Sequence, residues 1–181
     1  MPLTSSHAEA LADASRDGEL SKLWYTSVPA PEAVAAEIER RLAWQAAGTM
    51  LPFAVIDARD GRVVGMTSFC RIDAPNRRVE IGYTWYAKRV QRTALNSECK
   101  LLLLAHAFER LDCIAVEFRT HWMNQQSRAA IARLGAKQDG VLRNHQLLPD
   151  GSLRDTVVFS IIASEWPAVK NNLTHRLGRR S

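Results

Sequence analysis

The stretch KRVQRTALNSECKLLLLAHAFERL, residues 88–111, places a basic polar turn directly before a leucine-rich helical pattern. The turn carries Lys88, Arg89 and Arg92, and the helical part contains four consecutive leucines at 101–104. The first amide N–H groups of a helix have no partner within the helix and lie at its positive end, so phosphate groups bind there. The stretch therefore predicts an anion-binding helix start. The alternative interpretation is an ordinary capped helix with solvated charges.

Length, composition and charge set the broad class of the protein. With 181 residues, 46% of them hydrophobic and 24% charged, the chain is expected to form a single domain over residues 1–181. The net charge of +5 favours anionic partners. The cluster Arg176, Arg179 and Arg180 is interpreted as a solvated tail, and no nucleic-acid-binding motif accompanies the charge. We therefore expect no nucleic-acid partner.

Cysteine usage and the apolar runs bear on metals and membranes. Cys70, Cys99 and Cys113 are odd in number and lack ligand spacing, so neither a disulfide framework nor a metal site is expected. The first twenty residues show no cationic segment followed by an apolar run. The longest apolar run, 101–105, is too short to cross a bilayer. The sequence predicts a cytoplasmic protein with no membrane partner.

Periodicity predicts helices and strands on both sides of the opening stretch. Apolar spacings of three and four predict helical pieces over 5–25, interrupted at Gly18, and a helix from PAPEA (29–33) to Gly48. On that second helix, Glu37 and Arg41 are expected to pair on the outside, four residues apart. The final segment, 164–177, predicts a helix capped by Ser164.

The middle of the chain alternates between strands and helices. Strands are predicted over 51–57, 62–72, 77–86, 113–120, 138–148 and 153–162, with helices over about 96–111 and 124–135. In the third strand, Val79, Ile81, Tyr83 and Trp85 are expected to share one face, with Glu80 on the other. The strand–helix–strand step implies one parallel crossover in a mostly antiparallel sheet. The fold class is therefore α/β of the mixed α+β kind.

This order of elements resembles the Gcn5-related N-acetyltransferases (GNAT), in particular the RimJ/RimL-type branch. The family's pyrophosphate loop, Q/R-x-x-G-x-G/A, lies over Gln91, Arg92, Thr93, Ala94, Leu95 and Asn96, followed by Ser97 and Glu98. Its N-x-x-S/A segment appears as NQQS, Asn124 to Ser127, and the final strands and closing Glu-Trp are similar to those of the branch. The resemblance covers about Pro52 to Pro167. It implies a central, mostly antiparallel, twisted sheet of six to seven strands with one parallel β4/β5 pair, flanked by helices.

The resemblance implies acetyl-CoA as cofactor, bound by the six loop residues 91–96 together with Asn124 and Ser127. Two loop positions that the family fills with small residues are Ala94 and Asn96 here. Alanine still allows close approach of a ligand to the backbone, and Asn96 can cap the helix. Asn124 is expected to bind the pantetheine arm, and its alternative role is to cap its own helix.

The chemistry implied is direct transfer of an acetyl group to a primary amine. Such transfer needs a base for the amine and a proton for the leaving thiolate. Glu80 is the candidate base, and the alternative is a carboxylate paired with Arg77 or Arg78; Glu117 is a second, mainly structural, candidate. The tyrosine that many members use as acid is replaced by Ile131, so Ser127 is the candidate acid, with a capping role as its alternative.

The acceptor is either a protein N-terminal amine or a small-molecule amine, and the sequence does not choose between them. His145 is interpreted first as a surface histidine and second as a residue of the acceptor pocket. A non-catalytic module that binds acyl-CoA is the alternative to an enzyme. Only four residues precede Ser5, where the family places its first strand, so a partner chain could cover that sheet edge and a homodimer is left open.

Overall fold

The computed structural model describes residues 1–178, which contain six β-strands and five α-helices. The strands are β1 (Met50–Ile56), β2 (Val63–Asp73), β3 (Arg78–Tyr86), β4 (Ala115–His121), β5 (Lys137–Leu147) and β6 (Leu153–Ile162). The helices are α1 (Ala8–Arg16), α2 (Val34–Ala46), α3 (Leu95–Glu109), α4 (Gln125–Ala132) and α5 (Trp166–Gly178). Two members of the predicted basic tail, Arg179 and Arg180, lie outside these residues.

All six strands belong to one mixed sheet in the order β1-β2-β3-β4-β6-β5. β1 pairs antiparallel with β2, β6 pairs antiparallel with both β4 and β5, and β3 pairs parallel with β4. The predicted mixed fold and its single crossover are confirmed, but the parallel pair is β3/β4 and not β4/β5. The numbering shifts because the expected first strand is reduced to one bridge between Pro2 and Phe53.

The chain divides into two compact units. The boundaries between them fall at the end of β2, within β3 and within α3. The first unit comprises Met1–Ile72 and Ile81–Cys99, and the second comprises Asp73–Glu80 and the chain from Lys100 onward. This division does not test the single domain expected over 1–181, which stays a prediction. No helix within residues 1–178 combines the length and the apolar character needed to cross a membrane.

In the first unit, α1 and α2 contribute apolar faces to the core that β1 and β2 complete. Leu11, Val34 and Ile38 are buried with Val64 and Met66 of β2. The prediction that Glu37 and Arg41 lie on the outside of α2 is wrong. Glu37 is 7% exposed and Arg41 only 1%, because partners on the neighbouring strands satisfy the arginine inside the unit.

The predicted alternation of β3 is interrupted at Tyr83. Its φ of 51° lies in the left-handed region, and its side chain is 40% exposed, whereas Ile81 and Trp85 on either side are buried. A left-handed residue interrupts the extended backbone, so strict alternation ends there. This interruption of the strand at Tyr83 is called the bulge of β3 below. Tyr83 therefore does not share the buried face with its predicted companions.

In the second unit, β4 and β6 contribute buried apolar side chains. Phe118, Phe159 and Ile161 are buried, and Phe108 of α3 stacks on Trp166 of α5 with 5.3 Å between ring centroids. The predicted hairpin between β5 and β6 is confirmed. Ser164 does not cap the last helix, because it lies inside a short 3-10 turn, Ala163–Glu165, that precedes α5.

Candidate active site

The segment between β3 and α3 is held in place by bonds within the first unit. Ala87 N–H donates to the carbonyl of Val64 at 2.8 Å, and the Gln91 side-chain amide donates to the carbonyl of Tyr86 at 3.0 Å. The Thr93 hydroxyl donates to the carbonyl of Val90 at 2.7 Å. Residues 91–94 therefore form a fixed turn directly before the helix.

The start of α3 leaves amide groups available to a ligand. Glu98 N–H donates to the carbonyl of Ala94 at 3.0 Å, so Ala94 is the N-cap residue. The Thr93 hydroxyl accepts the N–H of Leu95 at 3.3 Å, but the methyl side chain of Ala94 cannot accept a hydrogen bond from the next two amides. Those amides, of Asn96 and Ser97, have no acceptor within the helix. Asn96 is itself in the first turn of α3, so the prediction that it caps the helix is wrong.

The three cations of the turn differ in their surroundings. Arg89 is bound to Asp17, which accepts its backbone N–H at 2.9 Å and its guanidinium at 3.3 Å. The side-chain stem of Lys88 lies over Gly18, where even a methyl group would collide with it. Arg92 is exposed, adopts a φ of 61°, and pairs with no carboxylate among residues 1–178. An anion could therefore engage Arg92 without breaking an ion pair.

The second unit holds the candidate base, Glu80, on β3. Its side chain is only 8% exposed, and its Oε2 lies 3.6 Å from Nε of Arg119. Neither arginine proposed as its alternative partner pairs with it, because Arg78 binds Glu117 at 2.8 Å and Arg77 binds Asp112. Glu80 is thus a nearly buried carboxylate next to Arg119.

Glu117 faces Glu80 across the parallel β3/β4 pair and has the structural role expected of it. It accepts hydrogen bonds from Arg78 at 2.8 Å and from Arg119 at 3.0 Å. Burial by itself would raise the pKa of Glu117, but the hydrogen bonds and charges of these two arginines hold that pKa below its usual value. Glu117 is therefore ionised and bound at neutral pH.

Asn124 and Ser127 lie at the start of α4. The Asn124 side-chain oxygen accepts the backbone N–H of Ser127 at 2.9 Å, so Asn124 is the N-cap of this helix. Its capping role, left open by the sequence, is present in the structure, while a contact with pantetheine stays a prediction. The Ser127 side chain is half-buried, and Ile131, four residues further along α4, is buried.

Sequence reasoning missed His121, the last residue of β4. It is 5% exposed, and its Nδ1 accepts the N–H of Met123 at 3.0 Å. Burial, and then the positive charge of Arg154, lower the pKa of His121. Its opposite residue on β6, Thr156, also bonds to Nδ1 of His145 at 3.0 Å. In the sequence, the signal that could have drawn attention to His121 was its position three residues before the Asn-x-x-Ser segment.

A cavity of about 480 Å³ opens on the β4, β6 and β5 part of the sheet. Its wall includes Arg119, which also neighbours Glu80, and Asp139, whose carboxylate accepts the Ser160 hydroxyl at 3.0 Å. The remaining lining residues are Arg78, Ala115, Glu117, Gly140, Leu142, Val158 and Ile162. The cavity thus combines apolar walls with paired charges.

The predicted site residues fall into the two units as follows. Residues 91–96 belong to the first unit, and Glu80, Asn124 and Ser127 belong to the second. Within the first unit the structure places the turn, residues 91–94, directly before the first residues of α3. Within the second it brings Glu80 beside Arg119 and joins Asn124 to Ser127.

Comparison with known proteins gives a consistent assignment. The family model described as "Acetyltransferase (GNAT) domain" matches residues 1–137. The chain is 33% identical over 111 residues to "Putative ribosomal N-acetyltransferase YdaF" of Bacillus subtilis (strain 168), an alignment that spans 61% of this chain and 60% of that protein.

Solved structures match over nearly the whole chain. A GCN5-related N-acetyltransferase from Brucella melitensis superposes with a TM-score of 0.83 at 31% identity, covering 97% of this chain and 80% of that one. RimJ of Mycobacterium smegmatis, solved in complex with CoA-disulfide, superposes with a TM-score of 0.80 at 22% identity, covering 97% of this chain and 87% of that one. At that identity the second match shows the fold alone.

Proposed function

The chain belongs to the acetyltransferase (GNAT) family, and we propose that it transfers an acetyl group from acetyl-CoA directly to a primary amine. The observation that carries the proposal is the start of α3, where an alanine N-cap leaves the amides of Asn96 and Ser97 to a ligand. The family uses acetyl-CoA, whose pyrophosphate is the anion such a helix start favours.

The residues of the turn fit this cofactor. Ala94 is small enough for phosphate oxygens to approach the backbone, and Arg92 adds an exposed positive charge that no carboxylate of residues 1–178 neutralises. Arg89 and Lys88 contribute longer-range attraction. Acetyl-CoA, when bound, supplies the acetyl group as an activated thioester.

Glu80 accepts the proton of the acceptor amine, directly or through a water molecule. Its burial beside Arg119 gives the carboxylate a defined position, which general base catalysis requires. Ser127 donates its hydroxyl proton to the departing thiolate and is reprotonated from solvent, since Ile131 has no group that could donate. Asn124 places Ser127 by capping the first turn of α4.

The acceptor amine binds in the cavity of the second unit. Arg119 connects that cavity to Glu80, and the carboxylate of Asp139 in its wall favours an ammonium group. The similarity to YdaF favours the N-terminal amine of a ribosomal protein over a small-molecule amine as acceptor. A cytoplasmic location and a homodimer stay predictions.

Titration calorimetry with acetyl-CoA tests the cofactor site. The parent chain is expected to bind, and Ala94→Asp is expected to lose most of that affinity, because a carboxylate at the N-cap repels the phosphates. Ala43→Asp, on an exposed face of α2, is the matched control and should bind as the parent does.

Each outcome separates the candidate functions. A parent chain that fails to bind acetyl-CoA contradicts the proposal. Binding without acetyl transfer to any N-terminal peptide or small amine would instead favour a non-catalytic module that binds acyl-CoA.

A further inference from the structure

A buried arginine connects α2 to the bulge of β3 within the first unit. Arg41 is 1% exposed, and its Nε donates to Glu37 Oε1 at 2.7 Å. Its Nη1 donates to the carbonyl of Tyr83 at 3.1 Å and to the Ser68 hydroxyl at 3.3 Å. Burial lowers the pKa of Arg41, and the hydrogen bond and charge of Glu37 oppose that shift. Burying the charge of Arg41 costs free energy, so we expect its contacts to have a role in addition to packing.

The residue that Arg41 contacts on β3 has a strained backbone. Tyr83 adopts a φ of 51°, a left-handed conformation that is strained for a residue other than glycine. Such a conformation persists only where the surroundings enforce it. Here the guanidinium of Arg41 binds the Tyr83 carbonyl and lies 5.5 Å from the centroid of its ring, while Trp44 packs on the ring with 5.6 Å between centroids.

The bulge determines where the rest of β3 points. Beyond Tyr83, the hydroxyl groups of Thr84 and Thr67 bond to each other at 2.7 Å, and Trp85 enters the core. If Tyr83 relaxed to an extended conformation, the following side chains would exchange faces, because alternation has a period of two. Tyr86 would then move, and its carbonyl is the acceptor that holds the Gln91 side chain at 3.0 Å.

We propose that Arg41 is a positioning residue for the acetyl-CoA turn: it fixes the bulge at Tyr83, and through Tyr86 and Gln91 the bulge fixes residues 91–94. The proposal rests on the proposed function for its ligand, but its structural part concerns the first unit alone. Glu37 takes part by orienting the guanidinium, and it also binds Arg40.

The first test measures the conformation of the turn without ligand. Amide hydrogen exchange over residues 84–94 is compared between the parent, Arg41→Lys and the double variant Glu37→Gln/Arg41→Met, which removes both charges of the buried pair. Exchange in this segment is expected to rise at least tenfold in the double variant and less in Arg41→Lys, since an ammonium cannot reproduce the planar set of donors. Unchanged exchange in both would overturn the proposal.

The matched control is Arg40→Met. Arg40 binds the same Glu37 and lies over Trp44 at 4.9 Å, but its side chain is 54% exposed. It should leave exchange over 84–94 unchanged.

The second test measures the affinity of the double variant for acetyl-CoA, and whether a further substitution restores that affinity. Adding Tyr83→Gly to the double variant should recover most of the lost affinity, because glycine adopts a positive φ without the contacts that Arg41 makes with Tyr83. A loss of affinity that this glycine does not restore would show that Arg41 acts by general stability, and the proposal would be wrong. Failure of the parent chain to bind acetyl-CoA would instead overturn the proposed function, while the exchange data would still decide the role of Arg41 in placing the turn.

Discussion

Asn124 caps α4 by accepting the backbone N–H of Ser127 at 2.9 Å, so the two residues of the Asn-x-x-Ser segment form one local unit. The bond uses the side-chain oxygen of Asn124 and leaves its NH₂ group as a donor. Asn124 can therefore cap the helix with its side-chain oxygen and donate a hydrogen bond to a ligand from its NH₂ group.

Substitutions at Asn124 separate these roles. Asn124→Ala is expected to lower the free energy of unfolding by about 1 kcal/mol, because the first turn loses its cap. Asn124→Asp keeps an oxygen acceptor and should stay near parent stability, yet it replaces the NH₂ donor with a second oxygen. Urea unfolding and acetyl-CoA titration of both variants measure the two effects. Parent-like affinity in both would limit Asn124 to capping.

Glu80→Gln tests the base. Turnover is expected to fall by about 10²–10⁴, the usual contribution of a general base, while the affinity for acetyl-CoA stays unchanged. Glu117→Gln is the control, since it lies opposite on β4 and is bound by two arginines. It should reduce stability more than turnover. Equal turnover in the parent and Glu80→Gln would remove Glu80 from the mechanism.

The burial of His121 makes stability depend on pH. Because burial and the charge of Arg154 lower its pKa in the folded state, the unfolded chain binds the proton more readily, and Asp155 opposes this only in part. The free energy of unfolding is therefore expected to fall as pH drops below the ordinary histidine value of about 6.5. Urea unfolding at pH 7 and pH 5 measures the change. His121→Gln should be less sensitive over this range, and an equal loss in both proteins would assign the effect to other groups.

Local pattern was sufficient for most elements. The predicted strands and helices lie within a few residues of the observed ones, because apolar periodicity and turn residues act over short distances. Gly48 and Gly135, with φ of 72° and 104°, follow α2 and α4 as their positions suggested. The resemblance to the GNAT family supplied the family assignment and aligned its pyrophosphate loop with residues 91–96.

Other features depended on contacts between distant residues. Two charges four positions apart predict an exposed pair, but Arg41 finds Ser68 and the Tyr83 carbonyl 27 and 42 positions away. Tyr83 looks like an ordinary strand residue until its backbone is seen. His121 is buried because its opposite strand, β6, arrives 35 residues later in the chain.

The sequence by itself determined the mixed α/β class, the order of the elements, the family and the turn that precedes α3. Those properties follow from the spacing of apolar residues, from turn residues and from short motifs. All three can be read from residues that are close together in the sequence. Only the tertiary structure decided that Ala94 is the N-cap, that Glu80 lies beside Arg119, and that a buried Arg41 holds the bulge of β3. Each of these depends on the direction of a backbone group or on a partner far along the chain, and residue spacing contains neither.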